Sequence, residues 1–233
     1  MGVVPGGAGG RARLAGSPGR KPAGAGPALD FALALALALA LALSLAPRGV
    51  GPMLGGMNVV LIGYRGSGKT SIGQALADRL GVGFIDTDAE VVERFGGLSI
   101  AEVWRRWGEP AFRLAERQVI DRLLADDGRV LAFGGGAVMQ PDVRAALDAA
   151  GARCTVIYLR ARASTLGARI AADAATAEAR PSLSGLAGSA DEVADVLAAR
   201  EPTYRAVADH VIDVDDRTVE ALAEAAASLC HAR

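Results

Sequence analysis

The chain has 233 residues, 51% hydrophobic and 22% charged, with 25 basic residues against 26 acidic ones for a net charge of −1. That is length for one domain with a real core plus an extension, and the balanced charge supplies no basic face for nucleic acid. Two cysteines, Cys154 and Cys230, exclude a disulfide scaffold and a cysteine zinc cluster, and His210 and His231 are too few for a histidine-rich metal site.

Residues 1–56 stand apart. They hold five basic residues (Arg11, Arg13, Arg20, Lys21 and Arg48) and one acid, Asp30. Phe31 to Ala46 is an almost pure Leu-Ala run between Gly/Pro/Arg-rich sequence and Pro47. A basic stretch before an apolar run resembles a secretory signal, but the phosphate-binding motif farther along the chain weighs against export. As a bilayer span the run falls short of the roughly 20 residues needed. The segment is read as a low-complexity extension, disordered or upstream of the true start at Met57 or Met53, and the folded domain is placed at 57–233.

From Met57 onward, short apolar runs alternate with helical patterns. Val59 to Ile62 reads as a buried strand, followed by a helix from about Thr70 to Leu80. Gly83 to Ile85 is a second strand, leading into Asp86-Thr87-Asp88. Ser99 to Glu102 is a capping box opening a helix to about Trp107, and a longer helix runs from Ala111 to about Ala125. Val130 to Phe133 and Val156 to Leu159 are the third and fourth strands. A second capping box, Ser189 to Glu192, opens a helix to about Arg200. Val211-Ile212 is a fifth strand and Val219 to Leu229 a closing helix. Continuous β-branched strands alternating with helices predict an α/β domain, a parallel five-stranded sheet covered on both faces.

Gly63-Tyr64-Arg65-Gly66-Ser67-Gly68-Lys69-Thr70 matches G-x-x-x-x-G-K-[ST] between a strand and a helix. Its glycines let backbone N–H groups converge on phosphate oxygens at a helix N-terminus. Lys69 supplies a point charge for the β- and γ-phosphates, and the Thr70 hydroxyl suits a Mg²⁺ ion. Of 25 basic residues only two are lysines, and Lys69 is the only one after Lys21. A slim ammonium fits there where a guanidinium fork does not.

Asp86 and Asp88 follow a strand whose carboxyl end faces the ligand crevice. One suits Mg²⁺, and the other can take a hydroxyl proton. Gly134-Gly135-Gly136 follows the third strand and lets backbone approach a ligand closely. Arg113, in the first turn of a helix, needs an anionic partner because the dipole disfavours a cation there. Arg180, before Pro181 in a Gly/Ser/Ala-rich stretch, suits a mobile cationic finger. Taken singly, each arginine is more often a solvated surface residue. Cys154 opens a strand as a packing residue, and Cys230 falls in a frayed tail.

In combination, the run from Gly63 through Asp86-Thr87-Asp88, Gly96 to Ile100, Gly108-Glu109, Phe112-Arg113, Gly134-Gly135-Gly136, Arg180-Pro181 and Arg200 to Tyr204 resembles the shikimate kinases over about residues 57–229. The resemblance implies a P-loop kinase fold with a mobile lid, transfer of the ATP γ-phosphate to the 3-hydroxyl of shikimate, Mg²⁺, a monomer and a cytoplasmic location, with no nucleic acid and no membrane. It implies that Gly66, Ser67, Gly68, Lys69, Thr70 and Ser71 bind ATP, with Thr70 and Asp86 at the metal. Asp88 would hold the ring hydroxyls and accept the proton, while Arg113 and Arg200 clamp the carboxylate and Gly135 adds a backbone contact. Arg180 would belong to the lid, and Arg217 to the adenine side. The lid reads Arg180-Pro181-Ser182-Leu183, with serine where many members have leucine, and the Ala-rich run from Arg169 to Arg180 leaves the adenine-packing residue unassigned. A related gluconate kinase, or a catalytically silent nucleotide-binding module, remain alternatives. Lys69, Asp88 and the arginines weigh against the silent module.

Overall fold

A computed structural model describes residues 56–172 and 190–230. The extension up to residue 55, the lid with Arg180, and Ser189 of the second capping box lie outside the described residues.

The element order is β1 (Asn58–Ile62), α1 (Lys69–Leu80), β2 (Gly83–Asp86), α2 (Thr87–Arg94), α3 (Ile100–Ala125), β3 (Arg129–Ala132), α4 (Pro141–Ala150), β4 (Cys154–Arg160), α5 (Ala163–Ala172), α6 (Ala190–Val207), β5 (His210–Asp213) and α7 (Val219–Cys230). The strands form one five-stranded sheet in the order β2-β3-β1-β4-β5, and every neighbouring pair is parallel. The expected parallel α/β architecture is therefore present.

All five residues of β1 are buried, as a central parallel strand requires. Val59 and Leu61 point into a cluster with Ile72, Leu76 and Leu80 of α1 and Leu222 and Ala226 of α7. Val60 and Ile62, pointing to the opposite face, are equally buried. Asn58 ties the far end of the sheet together: its Nδ2 donates to Asp126 O at 2.6 Å, and its Oδ1 accepts from Arg129 N at 3.0 Å.

The structure corrects several sequence expectations. Asp86 ends β2, but Thr87 and Asp88 belong to the first turn of α2, because Asp86 itself caps that helix by accepting from Asp88 N at 3.0 Å. The two helices expected at 100–107 and 111–125 are present as the two halves of α3, separated at Gly108, whose φ of 82° and ψ of 164° are not helical. The Ser99–Glu102 capping box that opens it is present. α6 continues past Arg200 through Pro202 to Val207. α4 and α5 were not anticipated. Cys230 closes α7 rather than fraying: its thiol donates to Ala226 O at 3.2 Å, and burial pushes its pKa up to about 11. Cys154 is buried in β4, as expected.

Candidate active site

The parallel order sends the carboxyl ends of β1, β2 and β3 to one edge, where a crevice opens. The loop after β1 wraps the start of α1. Gly68 caps that helix at φ 90°, a left-handed conformation that suits glycine, with no side-chain cap and no acid in the first turn. The helix's unpaired N–H groups and positive end are left open to an anion. Lys69 Nζ donates to Gly63 O and Tyr64 O, both at 2.9 Å. Ser67 is fully buried, and its N–H closes the turn on Tyr64 O at 3.2 Å.

Thr70 Oγ1 donates to Asp86 Oδ2 at 2.9 Å. These two hard oxygen groups beside the cradle are the kind of donor that Mg²⁺ takes alongside phosphate and water, so the expected metal pair fits. Gly66, Lys69, Thr70, Ser71 and Asp86 line one cavity. Arg169 of α5 lines it too and donates to Gly66 O at 3.2 Å.

A second cavity adjoins it, lined by Asp88, Arg113, Gly135 and Arg200. Four residues expected to hold the acceptor, from four separate chain segments, thus meet in one place. Arg200 Nη1 donates to Gly135 O at 3.3 Å, and its guanidinium lies 5.8 Å from the Tyr64 ring centre. Tyr204 Oη donates to the same carbonyl and stacks on Tyr158. Arg113 lies over Trp104 and donates from Nη1 to Glu116 Oε2 at 2.8 Å. Its expected anionic partner exists within the protein, as Glu116 and Glu109.

Asp88 and Arg65 line both cavities. Gly134 is what permits this junction. A Cβ there would stand 2.3 Å from Asp88 Oδ1 and 2.7 Å from Glu116 Oε1, so any side chain would drive into the converging carboxylates.

Glu116 is the residue that sequence reading missed. It is fully buried, and Oε1 has no hydrogen-bond partner. Burial, augmented by the charge of Asp88, outweighs Arg113 and raises its pKa to about 7 from an ordinary 4.5. A signal was available: Glu116 shares the apolar face of α3 with Phe112, Ala115 and Val119, where an unexplained carboxylate is out of place. Arg65 and Arg169 were also unassigned, although Arg65 sits inside the phosphate-loop motif. Arg217 lines neither cavity; it is exposed and donates to Ala221 O of α7.

Between about pH 4.5 and 7 the folded state retains a proton on Glu116 that the unfolded chain has lost. This contribution therefore lowers stability as pH rises through that window and levels off above about 7, by on the order of 3 kcal/mol. Glu116→Gln keeps an oxygen for Arg113 and Gln140, and the variant is expected to gain stability over the wild type across the same window. Denaturant melts at pH 4.5 and 8 check this; a constant difference between the two proteins would remove the shifted titration.

A phosphate cradle sharing Asp88 and Arg65 with a cavity that also holds Arg113 and Arg200 defines a P-loop kinase acting on a small anionic acceptor. Comparison with known proteins makes that narrower. The family model described as shikimate kinase matches residues 65–230, and the chain belongs to the shikimate kinase family. Shikimate kinase 2 from Yersinia enterocolitica is 44% identical over 155 residues, covering 66% of this chain and 85% of the relative. Among solved structures, the shikimate kinase of Acinetobacter baumannii in complex with shikimate superposes with a TM-score of 0.67 at 32% identity, covering 74% of this chain and 92% of that one. The enzyme from Bacteroides thetaiotaomicron gives 0.63 at 28% identity, covering 74% and 97%.

Proposed function

We propose that this chain transfers the γ-phosphate of ATP to the 3-hydroxyl of shikimate, releasing shikimate 3-phosphate and ADP. The observation that carries this reading is the position of Asp88 at the junction of the two cavities. A hydroxyl held there faces the phosphate cradle, and the Asp88 carboxylate can take its proton as the oxygen attacks phosphorus. Arg113 and Arg200 hold the ring carboxylate, with Gly135 fixing the loop between them. Lys69 and the N-terminal N–H groups of α1 balance charge on the phosphate oxygens as the bond to ADP breaks.

Thr70 and Asp86 are the residues that would hold Mg²⁺, which neutralises phosphate charge when bound. Positioning and charge then supply the catalysis, since no covalent protein intermediate is needed. Arg180, by the family resemblance, serves as the lid cation. The catalytic domain is residues 57–233, working as a monomer in the cytoplasm, where ATP is supplied; among the described residues no helix is long and apolar enough to cross a membrane.

An ADP-release assay with a panel of acceptors tests the substrate. Turnover is expected with shikimate and background with gluconate; equal stimulation by gluconate would overturn the assignment. In the same assay Arg113→Ala is expected to raise the KM for shikimate on the order of 10- to 100-fold, the loss of a charge-assisted contact. The KM for ATP should stay nearly constant. Glu116 keeps Gln140 Nε2 at 2.8 Å in that variant and can take up a proton, so the fold survives. Equal changes in both KM values would deny Arg113 its role.

A further inference from the structure

The guanidinium assigned to the acceptor's carboxylate is already holding one. Arg113 Nε and Nη2 both donate to Glu109 Oε1, at 3.0 and 2.9 Å, while Nη1 donates to Glu116 Oε2 at 2.8 Å. The two acids differ in kind. Glu116 is enclosed, with its side chain 1% exposed, whereas that of Glu109 is 49% exposed. Glu109 also covers the Nε–Nη2 edge, the side by which a guanidinium takes a planar carboxylate through two parallel bonds. It does so with one oxygen serving both donors, short of the fork-on-fork arrangement that a free carboxylate can reach.

We infer that Glu109 is a built-in stand-in for the acceptor's carboxylate, occupying the clamping edge of Arg113 and giving it up when the acid binds. This rests on Arg113 being the acid clamp. The arrangement has a physical logic in both states. Without a partner on that edge, the half-buried Arg113 guanidinium would carry unpaired donors at a desolvation cost. With Glu109 in place, Arg113 stays extended over Trp104 and Phe112, at 5.8 and 5.4 Å from their ring centres, in position for the ligand.

Leaving is easy for Glu109 because of where the backbone puts it. The break at Gly108 and the proline at 110 make Glu109 the first residue of the second half of α3. A carboxylate at a helix start is favoured by the unpaired N–H groups there, and this one is also half in water. Exchange of an exposed ion pair therefore costs little, while the incoming carboxylate gains the bidentate edge. A neutral ring alcohol cannot make that exchange, so the device also selects for acids.

Glu109→Gln and Glu109→Ala in the full chain, titrated calorimetrically, test this. Both variants are expected to bind shikimate roughly two- to five-fold more tightly, the range of an exposed ion pair, and to bind its uncharged methyl ester as the wild type does. Weaker binding of shikimate would mean that Glu109 orients Arg113 rather than competing for it. No change, or equal tightening for acid and ester, would equally overturn the inference. Arg113→Ala, titrated alongside, separates the two claims: undiminished shikimate affinity there would remove the clamp itself, whatever Glu109 does.

Discussion

Replacing Asp88 with asparagine is expected to lower kcat by roughly 10²- to 10⁴-fold, the usual contribution of a positioned general base. The substitution preserves shape. Asp88 is 9% exposed and its side chain packs against Gly134, and an amide of the same size fits that space. It also offers an N–H toward Glu116 Oε1, which lacks a partner, so the fold is not the casualty. What disappears is a carboxylate able to take a proton at the point where the two cavities meet. Steady-state kinetics with shikimate, with circular dichroism as a control on folding, check this. If kcat stays within about three-fold and only the KM for shikimate rises, Asp88 merely reads ring hydroxyls.

Lys69→Met is expected to cost on the order of 10²- to 10³-fold in kcat, as for the loss of one preorganised electrostatic contact to a developing charge, with a raised KM for ATP. The ammonium here has two tasks. It bridges the carbonyls of Gly63 and Tyr64, holding the loop's shape, and it carries the positive charge into the cradle. Lys69→Arg separates charge from shape: one nitrogen meets both carbonyls at 2.9 Å, which a flat guanidinium fork cannot reproduce. The arginine variant is therefore expected to lose nearly as much as the methionine one. Activity above roughly a tenth of wild type in Lys69→Arg would show that charge alone suffices there.

The elements readable from sequence were those with local signals. β1 and α1 were legible because a buried apolar run, a glycine loop and a helix stand consecutively, and the capping box at Ser99 marked the start of α3. α4 was missed although Pro141 at its start, Asp142 in its first turn and Gly151 at its end are helix-boundary signals; only the N-cap, Gln140, makes no side-chain bond. α5 was missed because its sequence, ASTLGARIAA, is mostly small residues, with Leu166 and Ile170 as its large apolar ones. α2 was hidden by its own function: Asp86, Thr87 and Asp88 read as a strand end, while Asp86 in fact caps a helix that carries Asp88.

The phosphate cradle was determined by sequence alone, since its glycines, lysine and threonine are contiguous and their geometry follows from one strand-to-helix turn. The acceptor cavity was decided by tertiary structure. Only the insertion of β3 between β2 and β1 carries Gly134 up against Asp88 and Glu116, and only α6 brings Arg200 to Gly135. The state of Glu116 belongs there too. Its proton affinity and its hold on Arg113 come from removal of water and from charges contributed by other segments, and desolvation and Coulomb energies depend on distances in space that spacing along the chain does not set.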